Sequence, residues 1–464
     1  MKLKVFNPSN QTLIEEIAIH NDTKDIDQAL NLATQVHLQK PRGLALFKRS
    51  EILNQFLHLM KDHQIELIEL STLEGGKPIK DTRVEFARVL QGIQLAIESI
   101  PQLKGQEIPM GLTQSSMSRI ALTQLEPIGV VVSISAFNHP MNLIVHQVIT
   151  AVAAGCPVII KPALTTPLSC IKMIDLLHQA GLPLAWAQCL IITNENAEKL
   201  ATDARVHFLS FIGSSQVGWH LRSQVAPGTR VALEHGGIAP VILEPDADLD
   251  LALPAIVKGA FYHAGQVCVS VQRLFVHQDI LEKTISRLTH LTQDLIVGPA
   301  INELTQVGPL IEAHIADRLV RQVNESLEDP HTKIICGGSS TNPGYFQPTI
   351  ILHPSPQAQV SQTEVFGPIL CVYSYENILD AIEQANQTPM HFQSAVFTNQ
   401  LKTAHLAIEK LNAKTVLIND QTAFRVDWMP FGGNDHSGLG TGGILQTMKE
   451  MSKEKLIIFH NPST

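Results

Sequence analysis

Apolar positions recur at helical spacing from the start of the chain to about Lys104, interrupted at Gly75-Gly76-Lys77-Pro78, so this stretch reads as largely helical. The pattern then changes. Gly129-Val130-Val131-Val132-Ser133-Ile134 is a continuous apolar run of the kind a strand buried on both faces shows, and a helical pattern follows from Asn142 to Ala154. Pro157-Val158-Ile159-Ile160-Lys161 is a second run, and strand, crossover helix and strand together predict a βαβ unit. Ligands of such sheets sit at the carboxyl ends of strands, where Lys161 stands. A third run, Val206 to Ile212, leads into Gly213-Ser214-Ser215-Gln216-Val217-Gly218 and another helical pattern. A glycine turn opening a helix presents free N–H groups to a pyrophosphate. Its spacing is neither GxGxxG nor a phosphate loop, so a plain strand-to-helix turn is the favoured reading of that segment alone.

This alternation predicts an α/β fold with parallel strands. Gly105 to Ala121 and Leu456-Ile457-Ile458-Phe459 stand outside it as excursions; an apolar edge at the second either pairs within its own domain or invites another chain. At 464 residues and 44% hydrophobic content, two or more domains are expected. Charged residues make up 17% and the formal net charge is −9, which argues against nucleic acid and anionic membranes as partners. Met1-Lys2-Leu3-Lys4-Val5-Phe6-Asn7-Pro8 has no apolar signal core and no run is long enough to span a bilayer, so a cytoplasmic location is expected. The six cysteines lack CxxC spacing, which predicts reduced thiols, no metal site and no disulfide framework.

Two segments carry chemistry. Ala264-Gly265-Gln266-Val267-Cys268 offers a cysteine, whose thiolate attacks carbon, and Leu233-Glu234-His235-Gly236-Gly237 offers a carboxylate able to activate water; together they suggest acyl chemistry at a thioester. Taken singly, Cys268 also reads as a small buried hydrophobe and Glu234 as a strand-end cap or ion-pair partner.

Those two segments take their places in a longer series: Glu126-Pro127-Ile128-Gly129-Val130-Val131, Phe137-Asn138-His139-Pro140-Met141-Asn142, Lys161-Pro162-Ala163, Phe211-Ile212-Gly213-Ser214, the glutamate and cysteine motifs with Arg273, Glu364-Val365-Phe366-Gly367-Pro368, and Met429-Pro430-Phe431-Gly432-Gly433 with Ser437-Gly438. In this order the series resembles the aldehyde dehydrogenase superfamily over essentially the whole chain. The resemblance implies a Rossmann-like cofactor domain (1–104 and 122–234), an α/β catalytic domain (235–430) and a β-strand oligomerisation extension (105–121 and 445–464) in a homodimer or homotetramer. It implies Cys268 as nucleophile, Glu234 as general base and Asn138 as the side-chain donor to the oxyanion. NAD or NADP would lie along Ser135, Phe137, Lys161, Gly213, Ser214, Val217, Gly236, Glu364 and Phe366. The chemistry is coherent. Addition of the thiolate to an aldehyde creates an oxyanion that needs fixed donors, loss of hydride needs an acceptor, and the remaining thioester needs activated water.

Departures from the family pattern sharpen the expectations. Relatives that prefer NAD often carry an acid three positions after the strand-end lysine; Leu164 stands there, which removes a barrier to the 2′-phosphate and predicts that NADP is accepted. His235 replaces a usual aliphatic residue, Ile238 a Lys or Asn, Asp435 a lysine, and Thr441-Gly442-Gly443 an Arg-Glu-Gly. The motif-flanking His139, His235 and His263 keep a Cys-His hydrolase or acyltransferase as an alternative. A CoA-acylating reaction on the same fold is a second alternative, against which Glu234 argues, and a non-catalytic structural member a third. Phe137 to Asn142 and Phe424-Arg425-Val426-Asp427-Trp428-Met429 look most like the branch acting on lactaldehyde, glyceraldehyde 3-phosphate or phosphonoacetaldehyde. A small polar or anionic aldehyde is therefore expected, with Arg88, Arg273 and Arg425 as candidate cations and Arg273 as the one that packs structurally.

Overall fold

The computed structural model describes residues 2–20, 22–39 and 43–460; Met1 and residues 461–464 of the expected extension lie outside them. Two sheets organise the chain. In the first, five parallel strands lie in the order Arg230–Glu234, Phe208–Ile212, Val131–Ile134, Val158–Lys161 and Ala187–Cys189, with Gly438–Leu439 added antiparallel at the near edge. The continuous apolar runs are strands covered on both faces: Val131–Ile134 and Val158–Lys161 are buried throughout. Strand order reverses between Val131–Ile134 and Phe208–Ile212, and a crevice opens beyond the carboxyl ends of strands at such a switch point.

The second sheet has the order Lys333–Cys336, Thr349–Leu352, Ile369–Tyr375, Val271–His277, Ala239–Leu243, Gln393–Phe397 and Thr415–Ile418, parallel except at Lys333–Cys336. The segment bearing Cys268 leads into the amino end of Val271–His277, and Glu364 to Phe366 lead into Ile369–Tyr375. Carboxyl ends of one sheet therefore meet amino ends of the other across a shared cleft.

The N-terminal stretch departs from the helical expectation. Lys2–Phe6 and Leu13–Ala18 form an antiparallel hairpin before the helices Thr23–Leu38, Leu46–Asp62, Gln64–Gly75 and Ile79–Ser99. Both hairpin strands are mostly exposed; Lys2–Phe6 alternates over only five residues and Leu13–Ala18 does not alternate, so the pair gives a weak strand signal. Instead, contacts to the second half hold the turn: Tyr345 Oη donates to the Ser9 carbonyl (3.0 Å) and the Ala300 N–H donates to Ser9 Oγ (3.2 Å). The break at Gly75 to Pro78 is where expected, with Gly76 left-handed (φ 68°) at the helix end.

Asn142 to Ala154 is helical as expected, with a wider π turn at Val145–Ile149 inside it. The Leu456–Phe459 run lies in Ser452–His460, which pairs along its whole length with Arg119–Pro127; Glu107–Ile108 completes a three-stranded sheet. Leu456, Ile458, Phe459 and Ile120 remain exposed on it. Just before it, the helix Ile444–Glu450 packs Ile444 and Met448 into the core beneath the first sheet, so that part of 445–464 packs with that sheet. Among the described residues no helix is long and apolar enough to cross a membrane.

Candidate active site

Strained backbone presents the cysteine. His263, Ala264 and Gly265 are consecutive left-handed residues (φ 49°, 54° and 68°), an arrangement non-glycine residues adopt only when neighbouring structure over-determines it. A Cβ at Gly265 would strike the Gly367 carbonyl, so glycine there lets the cysteine loop lock against the Glu364–Pro368 loop. Gln266 completes the lock: its amide donates to the His263 and Pro309 carbonyls (3.2 and 3.3 Å) and accepts from the Ile311 N–H (2.9 Å). Cys268 emerges half-buried into a cleft of about 1110 Å³ that runs between the two sheets.

Glu234 ends the strand Arg230–Glu234 and lines the same cleft, as does Asn138, placed just past the end of Val131–Ile134. Burial pushes the Glu234 carboxyl up, against the pull of Arg425 and Arg88. Burial also pushes the Cys268 thiol well up, the Glu234 carboxylate adds to this, and the Arg425 guanidinium opposes it. At rest the sulfur is a thiol, and Arg425 is the cation of the chain that favours its ionisation. Asn138 Nδ2 donates to the Gln266 carbonyl at 3.0 Å, which fixes the amide against the cysteine loop and leaves a second N–H for an oxyanion.

A buried charge network supports the Asn138 turn. Glu85 Oε1 accepts from the Met141 and Asn142 N–H groups (3.1 and 3.0 Å), and its other oxygen pairs with Lys77 Nζ at 2.5 Å. Asp427 Oδ1 accepts from Asn142 Nδ2 (3.1 Å), from His146 Nε2 (2.7 Å) and from Arg88 Nη2 (2.8 Å), while its Oδ2 accepts from Arg88 Nε (3.0 Å). Burial alone would raise the Asp427 carboxyl; the bonds from His146 and Arg88 hold it well below the usual range instead.

The three candidate arginines now separate. Arg273 spends its guanidinium on the carbonyls of Ile238, Gln384 and Ala385, a structural role as expected. Arg88 is forked onto Asp427. Arg425 lies 3.6 Å over the Phe431 ring and lines the cleft with 11% of its side chain exposed, yet its donors are poorly used. Its Nε has no hydrogen-bond partner, its Nη1 stands 3.7 Å from Glu234 Oε1, and its Nη2 stands 3.4 Å from His146 Nε2. That ring nitrogen carries its hydrogen toward the Asp427 carboxylate, so it cannot also accept from Arg425.

Beyond Cys268 the cleft is lined by donors and acceptors that the chain itself leaves unpaired. The helix Ser215–Gln224 starts after Gly213-Ser214 with no side chain capping its first turn, leaving N–H groups free for phosphate oxygens. Lys161, whose amine burial lowers to about 8, meets the Asn194 amide oxygen at 3.2 Å, and no carboxylate pairs with it among the described residues. Ser135 Oγ and Glu364 Oε1 are buried without partners, and burial raises the Glu364 carboxyl to about 8. Gly236 lets Glu364 approach, since a Cβ there would land on the carboxyl group. Phe137 and Phe366 meet edge-to-face (5.8 Å between centroids), and Val217 and Leu164 complete the wall.

All twelve residues expected at the site thus line one cleft. The histidines of the hydrolase alternative do not reach the thiol: among the described residues no histidine hydrogen-bonds Cys268. Both His263 nitrogens are buried without partners, and His139 Nε2 lies 3.5 Å from Tyr262 Oη. Burial lowers both rings far below the usual range, so neither is a protonated partner for a thiolate. Asp427, Glu85, Lys77 and His146 are not singled out as site residues in the sequence, as two lie on separate helices and two in loops, and only the fold brings them together.

Comparison with known proteins agrees with this geometry. The sequence pattern of the aldehyde dehydrogenase family matches residues 1–457. A 3-sulfolactaldehyde dehydrogenase of Priestia aryabhattai is 33% identical over 99% of this chain and 95% of its own length. The crystal structure of glyceraldehyde-3-phosphate dehydrogenase from Methanocaldococcus jannaschii complexed with NADP superposes with a TM-score of 0.93 at 33% identity, covering 99% of both chains. Aldehyde dehydrogenase 21 from Physcomitrella patens, in complex with the reaction product succinate, superposes at 0.95 with 31% identity, covering 100% of this chain and 96% of that one. A chain matched along nearly all its length, with a cysteine, a carboxylate and an amide lining one cleft, is a member of the aldehyde dehydrogenase family, an NAD(P)-dependent oxidoreductase.

Proposed function

We propose that the protein oxidises a small aldehyde bearing an anionic group to the carboxylate, with Arg425 holding the anion. The observation that carries this is the guanidinium itself: an arginine enclosed beside Cys268 whose Nε makes no hydrogen bond, standing 4.0 Å from Asp427 Oδ1, and whose terminal nitrogens stand 3.4 Å from His146 Nε2 and 3.7 Å from Glu234 Oε1. Desolvated donors left unmade are costly, and a sulfonate, phosphate or carboxylate would satisfy them. The names of the three relatives point the same way, to a sulfonate, a phosphate and a dicarboxylate product.

In this reading the Cys268 thiol gives its proton to cleft water, with the Arg425 guanidinium favouring the thiolate against the effect of burial, and the thiolate adds to the carbonyl. Asn138 Nδ2 and the Cys268 N–H stabilise the oxyanion. Bound nicotinamide supplies the hydride acceptor. Glu234, kept basic by burial, takes a proton from the water that cleaves the thioester. Ser135, Phe137, Lys161, Gly213, Ser214, Val217, Gly236, Glu364 and Phe366 hold the cofactor, which makes the first sheet the cofactor half and the second the catalytic half. Leu164 on the wall and Lys161 without a carboxylate suit a 2′-phosphate, so NADP is accepted.

Glyceraldehyde 3-phosphate and glyceraldehyde differ in one charged group, and kcat/KM for the pair tests the proposal. The phosphorylated substrate should be favoured by about 30-fold or more, and Arg425→Met should erase most of that ratio. Indifference to substrate charge in the wild type overturns the anion assignment.

A further inference from the structure

The residue next to the base is a histidine that no step of the reaction uses. His235 is 2% exposed, and its ring stands edge-on to Phe211 and Trp219 (5.8 and 6.0 Å between centroids). Its Nδ1 lies 3.0 Å from the Gly213 carbonyl. A carbonyl only accepts, so Nδ1 carries the hydrogen, and Nε2, buried without a partner, is left as a lone pair. Burial lowers the ring's pKa, in keeping with a neutral imidazole of that tautomer.

The backbone around it closes a loop. The Gly213 N–H donates to the Glu234 carbonyl at 3.1 Å, so Gly213 is bonded through its N–H to residue 234 and through its C=O to the side chain of residue 235. The His235 N–H in turn donates to the Ser437 carbonyl at 3.1 Å, on the strand-edge segment beside Glu234. On its far side the ring fills the space above Gly218: a Cβ there would strike His235 Cε1. The ring is therefore wedged between the turn that opens the helix Ser215–Gln224, that helix's own first turns, and the strand end that carries the base.

We infer that His235 is a positioning residue for the cofactor: its Nδ1–H fixes the Gly213 carbonyl so that the free N–H groups at the start of the helix Ser215–Gln224, just after that turn, keep their aim at the pyrophosphate, and it sets the turn at a constant distance from Glu234. An aliphatic side chain would fill the same space and leave the carbonyl without its donor. The turn would then be held to the strand by one bond instead of two. The inference rests on the reading of that turn as the pyrophosphate site.

Calorimetric titration of the full chain with NADP and with NAD, in the absence of aldehyde, reads it directly. His235→Leu should weaken both cofactors about fivefold or more, the scale of one lost buried hydrogen bond. His235→Asn puts an amide N–H where Nδ1 stood and should bind within about twofold of the wild type. His235→Ala repeats the leucine arm with no added bulk, in case leucine perturbs folding, and thermal unfolding of each variant shows that the fold is intact. Wild-type affinity in the leucine and alanine variants overturns the inference, as does an asparagine variant that falls as far as the leucine, which would reduce the ring to packing. Gly213→Val separates this from the underlying reading. If that variant still binds cofactor as the wild type does, the turn is not the pyrophosphate site and the inference falls with it; if it loses cofactor while His235→Leu does not, the inference alone fails.

Discussion

The two ends of the cleft are built on different principles. Around the substrate, charges are buried and wired together: Asp427 accepts from Arg88, Asn142 and His146, and Glu85 joins Lys77 to the backbone of the Asn138 turn. At the Lys161 end, which we assign to the adenosine, the chain offers backbone N–H groups, glycines and a lysine whose partner is a neutral amide, with the Glu195–Lys199 and Glu198–His220 pairs at the rim. Buried ion networks are worth little as net stability, yet they cost heavily when one member is removed, which makes the substrate end rigid. A sparsely charged pocket is cheaper to alter and can take a cofactor with or without an extra phosphate. Arg425 is the exception at the rigid end, a cation whose donors the network leaves open.

The largest effect lies where the two ends meet. Glu234→Gln keeps the shape of the base and removes its proton affinity, so reduced cofactor should appear as one burst per active site and steady-state turnover should fall about 10²- to 10⁴-fold. Rapid-mixing absorbance at the reduced-nicotinamide band checks this; unimpaired turnover removes Glu234 from its role, and loss of the burst moves that role to the first half of the reaction. The pH dependence of the burst sharpens the point. Because burial raises the Cys268 thiol, the burst rate should climb as pH rises through the neutral and alkaline range, since each increment deprotonates more of the nucleophile.

A second test sets the ends against each other in stability. Asp427→Ala leaves Arg88 without its forked partner and strips His146 and Asn142 of an acceptor, and denaturant unfolding should show a loss of about 3–5 kcal/mol. Lys161→Met, at the sparse end, should cost under about 1 kcal/mol, since it removes a desolvated amine held by one amide. The sign with pH follows from the depressed Asp427 carboxyl: its contribution is present at neutral pH and disappears as pH falls through the acid range. Equal losses in the two variants would erase the distinction between the ends.

The same division explains what could be read from the sequence. Cys268, Glu234 and the Gly213–Ser214 turn sit in short stretches whose neighbours serve the same local geometry: Gly265 for the close approach to Gly367, Gln266 for the loop bonds, Gly236 for the approach of Glu364. Strand-end placement also follows from continuous apolar runs. The network was invisible because it is purely tertiary: Asp427 meets Arg88 across 339 positions and Asn142 across 285. The N-terminal hairpin escaped for the opposite reason, since its one alternating strand is only five residues long and its partner Leu13–Ala18 shows no face. The helix Ile444–Glu450 was grouped with the extension by adjacency along the chain, while its apolar side belongs to the core under the first sheet.

The smallest expected effect tests how permissive the sparse end is. Leu164 lines the wall near Lys161, and the acids nearby are already engaged: Glu195 pairs with Lys199 at 2.8 Å and Glu198 with His220 at 3.0 Å. Of the two acids only Glu195 is paired with a fixed cation, and the Lys161 amine is available to a 2′-phosphate next to Leu164. Leu164→Glu introduces that opposition, and at a solvated rim its repulsion amounts to about 1–2 kcal/mol, or about tenfold or somewhat more in kcat/KM for NADP. The NAD value should hold or rise, because the new carboxylate can accept from ribose hydroxyls. Steady-state kinetics with both cofactors decides it: a wild type that strongly prefers NAD, or a variant whose two values fall together, would mean that the adenosine end is as specific as the substrate end and that its sparse charge is not what sets its tolerance.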